Sequence, residues 1–98
     1  MIPGEWLTCR LDTLDPDELA LRDLRALGLS PDDAHRLLER ARPRWHERWF
    51  TFLAQRVPGD EVWAFESPRE TWRELAGAAG YALVRKGQVV ERLVTRRS

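Results

Sequence analysis

Three times in this chain of 98 residues a capping side chain is followed directly by proline: Asp15-Pro16, Ser30-Pro31 and Ser67-Pro68. Each pair marks a helix start, because the cap's side-chain oxygen takes an orphan backbone N–H while proline at the first helical position has no N–H to lose. After the first pair, acids fill the opening turn and Gly28 supplies the stop, which predicts a helix over Pro16 to Leu27. After the second, Asp32 and Asp33 suit the positive end of the helix dipole, and Ala34, Leu37, Leu38 and Ala41 repeat at helical spacing. Pro43 lacks the N–H that an unbroken helix uses, so a break or kink is expected between Ala41 and Pro43, with a third helix from Arg44 to Arg56. After the third pair, Glu70 completes a capping box with Ser67. Trp72, Leu75, Ala76 and Ala79 share a face there, predicting a fourth helix that ends near Gly80.

Strands fall between these starts. "EVWAFE", after the turn "VPGD", has the β-branched and aromatic content of a strand, and "YALVRKGQVVERLVT" reads as two β-rich runs joined at Lys86-Gly87. Near the N-terminus Leu7, Cys9 and Leu11 alternate, which permits a short strand between Glu5 and Leu14. A right-handed crossover through the fourth helix would set "EVWAFE" and "YALVR" parallel, with the last strand antiparallel. The expected fold is α+β in a single domain: a helical half, about residues 1–57, packed on a small mixed β-α-β-β sheet, about residues 58–98.

A chain of this length supports one core and no separate binding module. Its 43% hydrophobic content and five tryptophans belong to a folded protein rather than a disordered one. Cys9 is the single cysteine, so no intrachain disulfide can form, and "MIPGEWLTCR" has neither the basic start nor the apolar run of a signal peptide. No apolar run approaches the roughly 18 residues that cross a bilayer. These features point to a reducing cytoplasm and to no membrane partner. Sixteen bases balance sixteen acids, yet Met1 to His35 carries eight acids and three bases while Arg36 to Arg56 carries six bases and two acids. The field is dipolar rather than basic. All but one of the bases are arginine, a bias that GC-rich codons produce along with the alanine, glycine and leucine content.

Residues Gly59 to Ser98 carry "PGDEVWAFESP", then "W..LAG..GYALVR.G", then "VV...VT". This part resembles a group of small bacterial proteins with the same order of motifs. The resemblance implies a bacterial or phage source and carries no activity, cofactor or site residue with it.

Candidate chemistry concentrates in "WHERWF". A zinc-protease helix needs His-Glu-x-x-His so that two imidazoles one turn apart face one metal, and the fifth position here is Phe50. Cys9, His35 and His46 are scattered, and a lone cysteine is more often a small buried apolar residue than a nucleophile. No Gly-rich phosphate loop occurs. The reading therefore assigns no catalytic residue, no metal and no cofactor. The helix pair closing on Gly28 has the cadence of a helix-turn-helix, but Asp32 and Asp33 stand where a recognition helix would meet phosphate.

What remains is binding. Arg36, Arg40, Arg44 and Arg48 recur every four residues as a slowly drifting basic stripe. Trp45, Trp49, Phe52 and Leu53 share the neighbouring face, a pattern more often found in a core than on a platform. Five tryptophans nevertheless exceed what a small core easily hides, and tryptophan and arginine dominate interface hot spots. The expected function is non-catalytic binding to another protein, as an inhibitor, adaptor or immunity-type factor of the kind phage carry, through Arg40, Arg44, Trp45, Arg48 and Trp49. Nucleic-acid binding by the same stripe is the second reading. Gln88 to Thr95 as an edge strand offers a route to a homo-oligomer.

Overall fold

A computed structural model of the protein describes residues 2–98. A 3-10 turn (Gly4–Trp6) leads into strand β1 (Leu7–Arg10), and helices α1 (Pro16–Ala26) and α2 (Pro31–Leu53) follow. The chain continues as β2 (Glu61–Glu66), α3 (Arg69–Arg73), β3 (Ala78–Arg85) and β4 (Gln88–Arg97). This is an α+β architecture. It divides into two compact units, Met1–Leu11 with Phe52–Ser98, and Asp12–Thr51.

The first unit holds the sheet, in the order β1-β2-β3-β4 with every pair antiparallel. β3 is buried continuously from Ala79 to Val84, as befits an inner strand made of small and aliphatic residues. Its neighbours are aligned as Val62↔Leu83 and Phe65↔Gly80 on one side and Tyr81↔Leu93 on the other. At the start of β2 the buried Asp60 carboxylate accepts two hydrogen bonds from Arg85, at 2.8 and 2.9 Å, and one from the Val57 N–H at 3.1 Å. The Arg85 guanidinium, helped by that N–H, holds the Asp60 carboxyl down at about 2. A buried charge is tolerated here because its lone pairs are satisfied. The β3–β4 turn is Lys86-Gly87, with φ of 52° and 79°, the pair of positive values that a type I′ turn requires.

The sequence pattern implies a mixed sheet, and the sheet is antiparallel instead. The cause is the fourth expected helix, which shrinks to the five residues of α3, while Ala78, Ala79 and Gly80 enter β3. A parallel crossover needs a dozen or more residues, and the stretch from Ser67 to Gly77 is too short to return the chain to the far end of β2. The Ser67–Glu70 capping box does not form either. Pro68, not Ser67, is the residue before the helix, and the buried Ser67 hydroxyl accepts from Thr71 Oγ1 at 2.6 Å and from the Ala78 N–H at 2.9 Å.

The second unit follows its caps. Asp15 Oδ1 accepts from the Asp17 N–H at 3.0 Å, and α1 ends one residue before the expected Leu27. Gly28 has φ +95°, and its N–H bonds the Arg25 carbonyl while the Leu29 N–H reaches back to Leu24. That is a Schellman motif with glycine in the left-handed position. Ser30 Oγ accepts from the Asp33 N–H at 3.2 Å and opens α2 as its cap.

α2 then runs 23 residues without a break at Pro43, so the two helices expected on either side of that proline are one. Pro43 removes the N–H that would pair with the Glu39 carbonyl, but both residues are exposed, and water can take the orphaned oxygen. The helix ends at Leu53, three residues before the expected Arg56.

Candidate functional site

Two sides of α2 carry the residues singled out in the sequence. Ala34, Leu38, Trp49 and Phe52 are buried and Trp45 is half-buried, forming a stripe at helical spacing. On the adjoining side Leu37, Arg40, Arg44 and Arg48 are exposed. At about 100° per residue these four fall within an arc of about 80°.

The buried stripe explains the tryptophans. Trp45 and Trp49 rings lie 5.7 Å apart, tilted by 39°. The Trp45 indole N–H donates to the Pro16 carbonyl at 2.8 Å, and the Trp49 indole to the Leu14 carbonyl at 3.1 Å. Both acceptors sit at the start of α1, so the aromatic pair fastens the middle of α2 to the first turn of α1. Trp49 has no exposed surface and Trp45 is half-buried. The Trp49 ring is therefore closed to a partner, and the Trp45 indole N–H is already committed to Pro16. Truncating Trp49 would cost about 3–5 kcal/mol of stability, so its loss would disturb the fold before any partner.

Trp63 and Trp72 also place their indole N–H groups on acceptors within the fold. Trp63 donates to Glu61 Oε1 at 3.0 Å and Trp72 to the Ser67 carbonyl at 3.2 Å. No tryptophan appears among the exposed large apolar residues, which are Leu14, Leu27, Leu37, Phe50, Val57 and Leu75. Four of the five indoles are thus committed to hydrogen bonds within the fold.

His46 is fastened to the same place. Its Nε2 lies 2.7 Å from Asp17 Oδ1, and its ring meets Phe50 edge-on at 5.8 Å. Arg42 Nε sits 3.3 Å from Asp17 Oδ2, an ion-pair distance, yet off the hydrogen-bond direction, so this N–H has no acceptor among the described residues. The His46 hydrogen bond, assisted by the charge of Arg42, lowers the Asp17 carboxyl below its ordinary value against the opposing effect of desolvation. Sequence reasoning missed this clasp. Asp17 was legible as a first-turn acid, but nothing in local spacing links it to a residue 29 positions away.

Cys9 is exposed on β1, which corrects its reading as a buried apolar residue. The alternation of Leu7, Cys9 and Leu11 mimics a half-buried strand, but on this short strand only Leu7 is partly covered. Among the described residues no group of three His, Cys, Asp or Glu is placed to hold a metal ion. Asp32 and Asp33 are exposed at the start of α2 and set negative charge at the end a groove-reading helix would use. No helix is long and apolar enough to cross a membrane among the described residues.

On the exposed side, Arg36 pairs with Asp33 at 3.5 Å. Arg40 and Arg44 have no ion pair or hydrogen bond from their side chains among the described residues. Two arginines one turn apart thus hold ten guanidinium N–H donors open to solvent. At the sheet, β4 does occupy an edge, but Val90 and Thr95 drop out of its register with β3 as bulges. Bulges twist an edge away from the even ladder that an added strand needs. Family models, curated proteins and solved structures offer no match to the chain.

Proposed function

We propose that the chain is a small non-catalytic protein-binding protein, of inhibitor, adaptor or immunity type, and that the exposed arginine side of α2 is its contact surface. The observation that carries this reading is the pair Arg40 and Arg44, exposed, one helical turn apart and without a partner among the described residues. Arg48 extends the row and Leu37 adds an apolar contact that is 45% exposed. Of the residues first considered, Trp45 and Trp49 contribute by holding α2 in place rather than by touching the partner. A cytoplasmic setting and carriage by phage belong with this reading, as does Cys9 as an exposed thiol kept reduced.

Nucleic acid is the competing ligand of such a stripe. Single strands are held by arginines interleaved with aromatic rings on which bases stack. Here the neighbouring indoles are turned to carbonyls of the second unit, which favours a protein partner. The test is capture on immobilised protein with nuclease present, comparing the native chain with Arg40→Glu/Arg44→Glu. A protein retained in near-stoichiometric amount by the native chain, and lost at least about tenfold in the double variant, supports the proposal. Equal retention by both chains overturns it. Recovery that collapses with nuclease, or falls by about 10³ between 50 and 200 mM salt, assigns the stripe to nucleic acid.

A further inference from the structure

We infer that the occupant of the α2 surface is an acidic amphipathic helix, with carboxylates recurring every fourth residue and an apolar side chain set against Leu37; this rests on the protein-binding reading above. Arg40, Arg44 and Arg48 rise by about 6 Å per step along α2. A partner helix with acids at i and i+4 repeats its charge at the same interval, so a single alignment satisfies both Arg40 and Arg44 and continues the row towards Arg48. A flexible acidic segment would have to be ordered at an entropic cost that a preformed helix avoids.

Charge decides between the other occupants. A second copy of this face would bring arginine row against arginine row and is repelled. Asp33 falls within the same arc and Glu47 at its border, and both are exposed. A phosphate backbone carries negative charge at every step and meets both acids, whereas a helix can set a neutral or basic residue opposite each. The interleaving of acids with the arginines therefore selects a partner whose charge is patterned, not merely negative. Leu37, which shares this arc one turn before Arg40, gives the alignment a register, because sliding by one turn exposes the partner's apolar residue.

The test uses three labelled probes, and a lysine counterpart of the first as a fourth, with the full chain at 150 mM salt, read by fluorescence anisotropy. The three are an alanine-based 16-residue helix with glutamate at every fourth position and one leucine, a peptide of identical composition with the glutamates scrambled, and a single-stranded oligonucleotide. The patterned helix is expected to bind at least about tenfold tighter than the scrambled peptide, and Arg40→Glu/Arg44→Glu to abolish this preference. The same double variant is expected to bind a patterned lysine helix in its place, a rescue that simple unfolding cannot produce. Equal binding of patterned and scrambled peptides, or a preference for the oligonucleotide, overturns the inference. If neither peptide binds while capture of a cellular protein still depends on Arg40 and Arg44, the helical occupant is wrong and the protein-binding reading stands.

Discussion

α1 and α3 end with the same hydrogen bonds and different residues. At the end of α1 the Gly28 N–H bonds Arg25 and the Leu29 N–H bonds Leu24; at the end of α3 the Leu75 N–H bonds Trp72 at 3.3 Å and the Ala76 N–H bonds Thr71 at 2.7 Å. Both are Schellman motifs, and both need a left-handed residue. α1 uses glycine, at φ +95°; α3 uses a leucine, at φ +58°, that is also 78% exposed. A side chain in that region costs about 1–2 kcal/mol, because Cβ crowds the following carbonyl. α1 is closed by local chemistry. α3, too short to be stable alone, is closed by packing: the Trp72 ring lies on Gly77, with the Arg96 guanidinium 5.5 Å from the ring on β4. A helix end is cheap where its residue suits the turn, and can be forced where tertiary contacts over-determine it.

The comparison breaks most sharply at Gly77. A Cβ there would overlap the Trp72 ring, so Gly77→Ala is expected to cost about 3 kcal/mol and lower Tm by more than about 10 °C in thermal denaturation. Gly28 tests the other end. Nothing lies near a Cβ at this position, so Gly28→Ala carries the backbone cost alone, about 1 kcal/mol, and a Tm lower by about 4–8 °C. A loss near 3 kcal/mol would mean that α1 too is closed by packing.

Leu75→Gly should move the opposite way, stabilising by about 0.5 kcal/mol in urea unfolding, since the relief of the left-handed side chain exceeds the added freedom of the unfolded chain. A destabilised Leu75→Gly would show that the exposed leucine makes a contact of its own.

The smallest effect is a difference of zero. Neither helix end carries a titrating group in its motif, so the cost of Gly28→Ala is expected to be the same at pH 7 and pH 3. The whole molecule nevertheless loses stability over that range. Asp60, held at about 2 in the fold against an ordinary 3.8, contributes fully above pH 3.8. It loses that contribution as pH falls from there towards 2, because the unfolded chain takes up the proton first. Asp60→Asn removes this acid-side slope.

The same contrast explains what could be read from residues alone. Asp15, Ser30 and Pro31 announced α1 and α2 because caps act within four residues. β2 and the β3–β4 hairpin were legible for the same reason, in the β-branched content of Val62 and Val84 and in the turn at Gly87. Gly80 misled. It resembled a helix stop but sits inside β3, where a Cβ would run into the Leu93 carbonyl, a requirement set by a strand partner rather than by a turn. Leu75 gave no stop signal because its conformation is imposed from outside. Pro43 signalled a break that solvent exposure made unnecessary. In the site, periodicity separated the buried stripe of α2 from its arginine side. It could not show that the indoles of Trp45 and Trp49 reach Pro16 and Leu14, since those partners are distant in sequence.

The sheet order has a consequence for how the protein assembles. β3 and β4 meet through a two-residue turn, whereas β1 reaches β2 only after everything from Leu11 to Asp60 has been threaded between them. For a flexible chain, closing a loop about 25 times longer costs about 3 kcal/mol more entropy. The C-terminal strands therefore form the early meander and β1 docks late, onto an edge already made. As the last strand to arrive and one of only four residues, β1 is also the first to leave. Its amides should exchange with solvent well before those of β3, which makes the N-terminal segment the place where this fold opens.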